Sequence, residues 1–176
     1  MTIDELIRCR YSCRSYADTP VDRALVEEIC RVALLAPSAC NSQPWKIHAL
    51  YGEKKNAVAK TLRQEIGFNR HASAAPVLLA IEETDAVYKK AIAEAVEPNR
   101  WTDCDVGILA AHIVLLAKDR GLDTCIIGFA DTEALKKELG TQNPVPLLIS
   151  LGYAANPGTV PAKKRKDTED VFVEEE

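Results

Sequence analysis

The sequence lacks an excess of either charge. It carries 22 Lys and Arg against 26 Asp and Glu over 176 residues, a formal net charge of −4. The basic surplus of a nucleic-acid binder is therefore missing. No apolar run approaches the roughly 20 residues that span a bilayer. The opening Met1-Thr-Ile-Asp-Glu-Leu6 is acidic and amphipathic, unlike a secretory leader. The expectation is a cytoplasmic protein with neither a nucleic-acid nor a membrane partner. The six cysteines form no Cys-x-x-Cys pair, and the three histidines (His48, His71, His112) are scattered. Ordinary buried or half-buried thiols are expected, with no metal site. A glycine-rich dinucleotide loop, a phosphate-cradling P-loop and a nucleophile elbow are all absent.

What is present is globular in character. The hydrophobic fraction is 47% and the charged fraction 27%, which excludes a disordered chain or a disulfide miniprotein. The length suits one domain over residues 1–176, with the stretch from about 157 onward as a C-terminal extension.

Local patterns predict alternating helices and strands. Thr2 and Glu5 form a capping-box pattern for a first short helix. The stretch from Arg10 to Pro20 is polar and turn-like. A helix is expected from about Val21–Asp22 until Pro37, since Leu25, Ile29, Val32, Ala33 and Ala36 recur at helical spacing. Trp45, Ile47, Ala49 and Tyr51 alternate as in a strand, closed by Gly52. Helices are expected from Lys54 to about Ile66 and, weakly, from Asp85 to Val96. Val77–Ile81 is a continuous apolar run, as in a buried strand. A helix from about Asp103 to Arg120 is apolar nearly all round, then capped by Gly121. Thr124–Ile127 and Pro146–Tyr153 are further strands, separated by a helix from Asp131 to Leu139. Four strands make a thin sheet, and so apolar a helix needs more cover than this chain supplies. That is a first indication of a dimer.

Two basic clusters stand near opposite ends of the chain: Arg10-Tyr-Ser-Cys-Arg14 and Lys163-Lys-Arg165. Arginine, lysine and serine hydroxyl groups together suit a phosphate. Taken with Ala36-Pro-Ser-Ala-Cys-Asn-Ser-Gln-Pro-Trp45, the first cluster resembles the opening of the nitroreductase family of FMN-dependent oxidoreductases. Asp105-Val-Gly, Gly121-Leu, Ile126-Ile-Gly128, Leu151-Gly-Tyr153 and the Lys-x-Arg at 163–165 follow in the family's order. The resemblance spans essentially the whole chain.

That resemblance implies an α+β fold with a mixed central sheet flanked by helices, built as an intertwined homodimer with an FMN at each interface. It assigns Arg10, Ser12, Lys163 and Arg165 to the FMN phosphate and ribityl chain. Tyr11 stands where the family often has arginine, so it would offer at most a hydroxyl contact. Arg14 falls at the N1–C2 carbonyl edge of the ring. Pro37, Ser38, Ala39, Asn41 and Gln43 would approach the same flavin from the other subunit, while Ile127 and Gly128 pass its N5 edge. Trp45 is expected in the core, Asp105 in a helix-start hydrogen bond, and Cys40 as a small packed residue. The interval of about Asp85–Arg100 is short for a lid, with Tyr88 and Trp101 as bordering candidates. The implied activity is hydride transfer from NADH or NADPH through FMN to nitroaromatic, quinone or similar acceptors, by a ping-pong mechanism with no catalytic side chain. A dedicated enzyme of the same fold, for dehalogenation or ring dehydrogenation, and a flavin-binding module without turnover are the alternatives.

Overall fold

A computed structural model describes residues 1–62 and 69–175. Capping chemistry sets several of its helices. Helix α1 (Ile3–Cys9) opens on the expected box: Thr2 Oγ1 accepts from the Glu5 amide, and Glu5 returns the bond to the Thr2 amide. Helix α2 (Arg23–Ala33) starts at the Asp22 cap. It ends four residues before Pro37, because Leu35 and Ala36 turn back onto Val32 and Ala33 in tighter i→i+3 bonds. Helix α3 covers Gly52–Ala59, and the expected helical residues 63–66 lie outside the described residues. Helix α4 is His71–Ala74 and α5 only Lys90–Ala93, a correction to the weak helix expected over 85–96. No side chain caps α5, so little holds a longer helix there. Helix α6 spans Thr102–Asp119, and α7 (Thr132–Leu139) runs from the Asp131 cap to Gly140, left-handed at φ 71°.

The strands are β1 (Trp45–Leu50), β2 (Val77–Glu83), β3 (Asp123–Ile127) and β4 (Leu147–Gly152). They form one sheet in the order β1-β2-β4-β3, antiparallel at every step. The α+β class holds. The parallel pairing that a mixed sheet implies is confined, among the described residues, to a single bridge between Ser12 and Thr124.

Both faces of the sheet are covered. Val77, Leu79, Ile81, Ile149 and Leu151 pack with Trp45 under α2 and α6. Leu50, Leu78, Ala80, Leu148, Cys125 and Ile127 pack toward α3 and α7. This double burial is why Val77–Ile81 is apolar without alternation.

The segment after α1 is the element that builds the site. Expected as a turn, it is an extended strap stitched across the ends of β3 and β4. The Cys13 amide donates to Thr124, Ala17 to Tyr153, and Ala155 back to Ser15, at 2.9–3.0 Å. Tyr16 pins it from beneath, its hydroxyl 2.7 Å from Ser150 Oγ and 3.1 Å from the Cys13 carbonyl. Gly152 allows this approach: a Cβ there would stand 2.6 Å from Pro76 Cδ and 3.0 Å from the Tyr16 ring. Among the described residues no helix is long and apolar enough to cross a membrane.

Candidate functional site

The two basic clusters of the sequence meet in space. Lys163 Nζ donates to the carbonyls of Ile7 and Arg8, at 2.9 and 2.6 Å, which sets it beside Arg10. Partial burial, then the charges of Arg10 and Arg165, push the Lys163 pKa down. Arg10, Lys163 and Arg165 thus share one neighbourhood, and no salt bridge found among the described residues neutralises them. Ser12 reaches the Cys125 thiol on β3, and the charges of Arg14 and Arg10 act on that same thiol. Burial still dominates there and raises the Cys125 pKa. A cavity of about 320 Å³ opens between the strap and the outgoing chain, lined by Tyr11, Ser12, Arg14, Asn156, Thr159 and Pro161.

Strand β3 carries this neighbourhood toward Ile127 and Gly128. From Thr124, bridged to Ser12, four residues to Gly128 span about 13 Å. Gly128 is exposed, and a Cβ there would make only ordinary contacts, 3.7 Å from the Pro146 carbonyl oxygen and 3.8 Å from Leu147. Nothing in the chain's own packing demands glycine at that point. The neighbouring Ile126 and Phe129 are 43% and 55% exposed, an apolar surface beside Gly128. Sequence reading missed both, because Cys125-Ile-Ile127 looks like a uniformly buried run. It also missed Asn69, whose side chain donates to the Phe129 carbonyl at 2.9 Å. His71 was missed too; burial and the nearby Arg14 charge lower its pKa.

Tyr11 borders the same cavity as Ser12 and Arg14. Its ring packs on the Cys13–Tyr16 cluster and lies 5.7 Å from Lys118 Nζ. Burial first, then Cys13, pushes its hydroxyl pKa up to about 12.

The Pro37–Gln43 segment forms a second centre. Ala39–Asn41 make a 3₁₀ turn, Ser38 Oγ accepts from the Gln43 amide at 2.9 Å, and Gln43 Nε2 donates to the Asn41 carbonyl at 3.2 Å. Cys40, Asn41 and Gln43 all have positive φ, at 55°, 55° and 48°. Strain of this kind, in two residue types that seldom adopt it, gathers at binding loops. Asp105 holds the turn, with Oδ1 accepting from the Ala39 amide at 3.0 Å, a long-range bond where a cap or bond at its own helix start was expected. Trp45 is in the core, as expected. Cys40 is exposed, which corrects the expectation of a packed residue: its left-handed backbone turns the side chain out of the loop. Cys104 is exposed as well, while Cys13 and Cys125 are buried. No group of three or more metal-ligating side chains occurs among the described residues.

The two centres sit toward opposite ends of α6. The turn sits at Asp105 in the first turn of α6, whereas the strap residue Tyr11 sits at Lys118 in its last. Those positions are about 20 Å apart along the helix. A larger cavity, about 650 Å³ between α2 and β1, is lined by neither group.

Comparison with known proteins places this geometry. The chain is 29% identical to the 4-nitrobenzoate reductase of Pseudomonas putida, over 89% of this chain and 87% of that one. It is 30% identical to the NADH dehydrogenase of Thermus thermophilus, over 85% of each. The crystal structure of an FMN and NADPH-dependent nitroreductase from Sphigopyxis sp. strain HMH superposes with a TM-score of 0.79 at 20% identity, covering both chains fully. The nitroreductase family model matches residues 7–153, from the end of α1 through β4, and the chain belongs to the nitroreductase family.

Proposed function

We propose that the protein is an FMN-dependent oxidoreductase that takes hydride from NADH or NADPH and reduces nitroaromatic, quinone or similar small acceptors. The observation that carries this reading is the convergence of Arg10, Lys163 and Arg165, from distant parts of the chain, without a carboxylate among them. Such a cluster fits a phosphate dianion without a glycine-rich loop. The cofactor is also named for the structural neighbour from Sphigopyxis.

When bound, FMN supplies the two-electron chemistry. Arg10, Ser12, Lys163 and Arg165 would hold its phosphate and ribityl chain. Arg14 would place a fixed positive charge at the ring edge where negative charge accumulates. The Ile127–Gly128 backbone would lie against the ring, with Ile126 and Phe129 offering apolar cover. Pro37, Ser38, Ala39, Asn41 and Gln43 would complete the site from a second subunit, since within their own chain the turn and the strap sit at opposite ends of α6. This requires a homodimer. Support for an intertwined one comes from β1, an edge strand of the sheet, and from the outward Val171, Phe172 and Val173, each more than 60% exposed. The interval between β2 and α6 holds only the four-residue α5, so donor and acceptor would use one open face in turn. Initial-rate kinetics should then give parallel double-reciprocal lines; intersecting lines would exclude a shared face.

The direct test replaces Lys163 and Arg165 with alanine together. Each lost charge-assisted hydrogen bond should weaken FMN binding by about 1.5–3 kcal/mol, read by fluorescence titration. Unchanged affinity in a folded variant would remove the proposal's foundation.

A further inference from the structure

Lys55 is a buried cation that the cofactor site does not use. It stands on α3 with 8% of its surface exposed, and lysine is almost never enclosed without a counter-charge. The other buried charged side chains have donors aimed at them. Glu82 receives His48, Asp123 receives Lys118 at 2.8 Å, and Asp105 receives the Ala39 amide. Lys55 has no carboxylate partner among the described residues. Its ammonium donates to the carbonyls of Ser73 and Ala75, at 2.8 and 3.0 Å, which leaves one of its three protons unassigned. Burial alone lowers its pKa, a cost that an adjacent anion would offset.

The side chain lines a cavity of about 560 Å³ beneath the strap, between residues 16–21, Tyr51 and the α4–β2 junction. That size is typical of small-molecule sites. The walls at Tyr16, Val21, Pro76 and Val77 are largely apolar, and Asp18 and Thr19 lie on the strap side. The cavity shares no residue with the basic cluster or with the Pro37–Gln43 turn.

We propose that this cavity is a second ligand site, which binds a small aliphatic monocarboxylate through the free proton of Lys55. The hydrocarbon part would rest on the valine, proline and tyrosine walls. Asp18 on the same lining disfavours a dianion. The competing role for Lys55 is a plain clamp on the carbonyls that end α4.

Calorimetric titration of the protein as purified separates the two, with butyrate, butyramide and inorganic phosphate as probes and flavin absorbance recorded in parallel. Butyrate should bind with a Kd of about 1 mM or tighter, while butyramide and phosphate leave the cavity empty and the flavin spectrum stays unchanged. Lys55→Gln should weaken butyrate by about tenfold or more. Thr19→Trp, an exposed strap substitution that keeps the clamp intact, should block the cavity and carries the test if the Lys55 variant fails to fold. The proposal is overturned if the wild-type protein ignores butyrate, if Thr19→Trp binds it normally, or if butyrate perturbs the flavin in step with binding.

Discussion

At Glu82 several donors close on one carboxylate. His48 and Lys46 approach from β1, and Thr141 and Asn143, at 2.8 and 2.7 Å, from the turn after α7. Burial would raise this carboxyl pKa, but the bonds from His48, Thr141 and Asn143, with the Lys46 charge, outweigh it and hold the pKa below 4.5. The unfolded chain therefore binds this proton more readily than the folded one. The stabilisation is complete above about pH 4.5 and is lost as the pH falls through the folded value. Glu82→Gln should cost about 2 kcal/mol near neutrality and flatten the acid limb of stability, as measured by urea unfolding across pH. A variant with wild-type acid sensitivity would mean that the network is slack. None of this was legible in the sequence, because the partners lie 34 to 61 residues from Glu82. Trp45 was legible as a strand-start aromatic, whereas the partner of Asp105, the Ala39 amide 66 residues away, was not.

Among the elements, α6 was expected to need more cover than one chain supplies, and part of its apolar surface is covered within the chain. Val106, Leu109, Ala110, Ile113 and Ala117 are buried against the sheet and α2. The opposite side remains open: Ile108 is 37% exposed, and Leu35, Ile3 and Ile7 nearby are 82%, 62% and 56% exposed. A cavity of about 530 Å³ runs between α1, α2 and α6, with Ile3, Leu35 and Leu115 in its lining. If this is where two copies meet, Leu35→Glu with Ile108→Glu should give a monomer by light scattering at micromolar concentration. FMN affinity should fall in parallel, because the Pro37–Gln43 turn would no longer reach the second site. A dimer that survives the double substitution would place the interface elsewhere. Strand positions were legible because glycine and proline bound them. Helix ends were less so: α2 stops where tighter turns replace it, a balance that the spacing of apolar residues does not record.

For the molecule as a whole, the residues alone offered separate clusters, and only the family resemblance implied how they would be arranged. The basic clusters, the Pro37–Gln43 turn and Ile127–Gly128 were assigned only through a family resemblance. From charge alone, each cluster reads as a solvated basic patch. Their convergence depends on the strap, whose partners at Thr124 and Tyr153 are more than a hundred residues away. The polar sequence of Arg10–Pro20 signals a turn because the bridging residues are not local. One further expectation belongs at this scale. Arg14→Ala should slow flavin reduction more than it raises the donor KM, since its charge matters most as the ring becomes anionic. Stopped-flow reduction rates set against steady-state KM values would show this, and an effect confined to KM would assign Arg14 to donor binding instead.

The bonds from Lys163 to Ile7 and Arg8 join residues 156 and 155 positions apart. During translation at about 5–20 residues per second, roughly 8–30 s separate the emergence of the two halves of that contact. A nascent chain can form helix α1 early, yet the strap must wait for Thr124 and Tyr153, and the basic cluster for Lys163. With FMN held as proposed above, its capture would wait for the synthesis of residues 163–165. A ribosome-stalled chain ending before Lys163 should leave flavin in solution even when a second copy is supplied, while one extended past Arg165 and clear of the exit tunnel should retain it once that second copy completes the site.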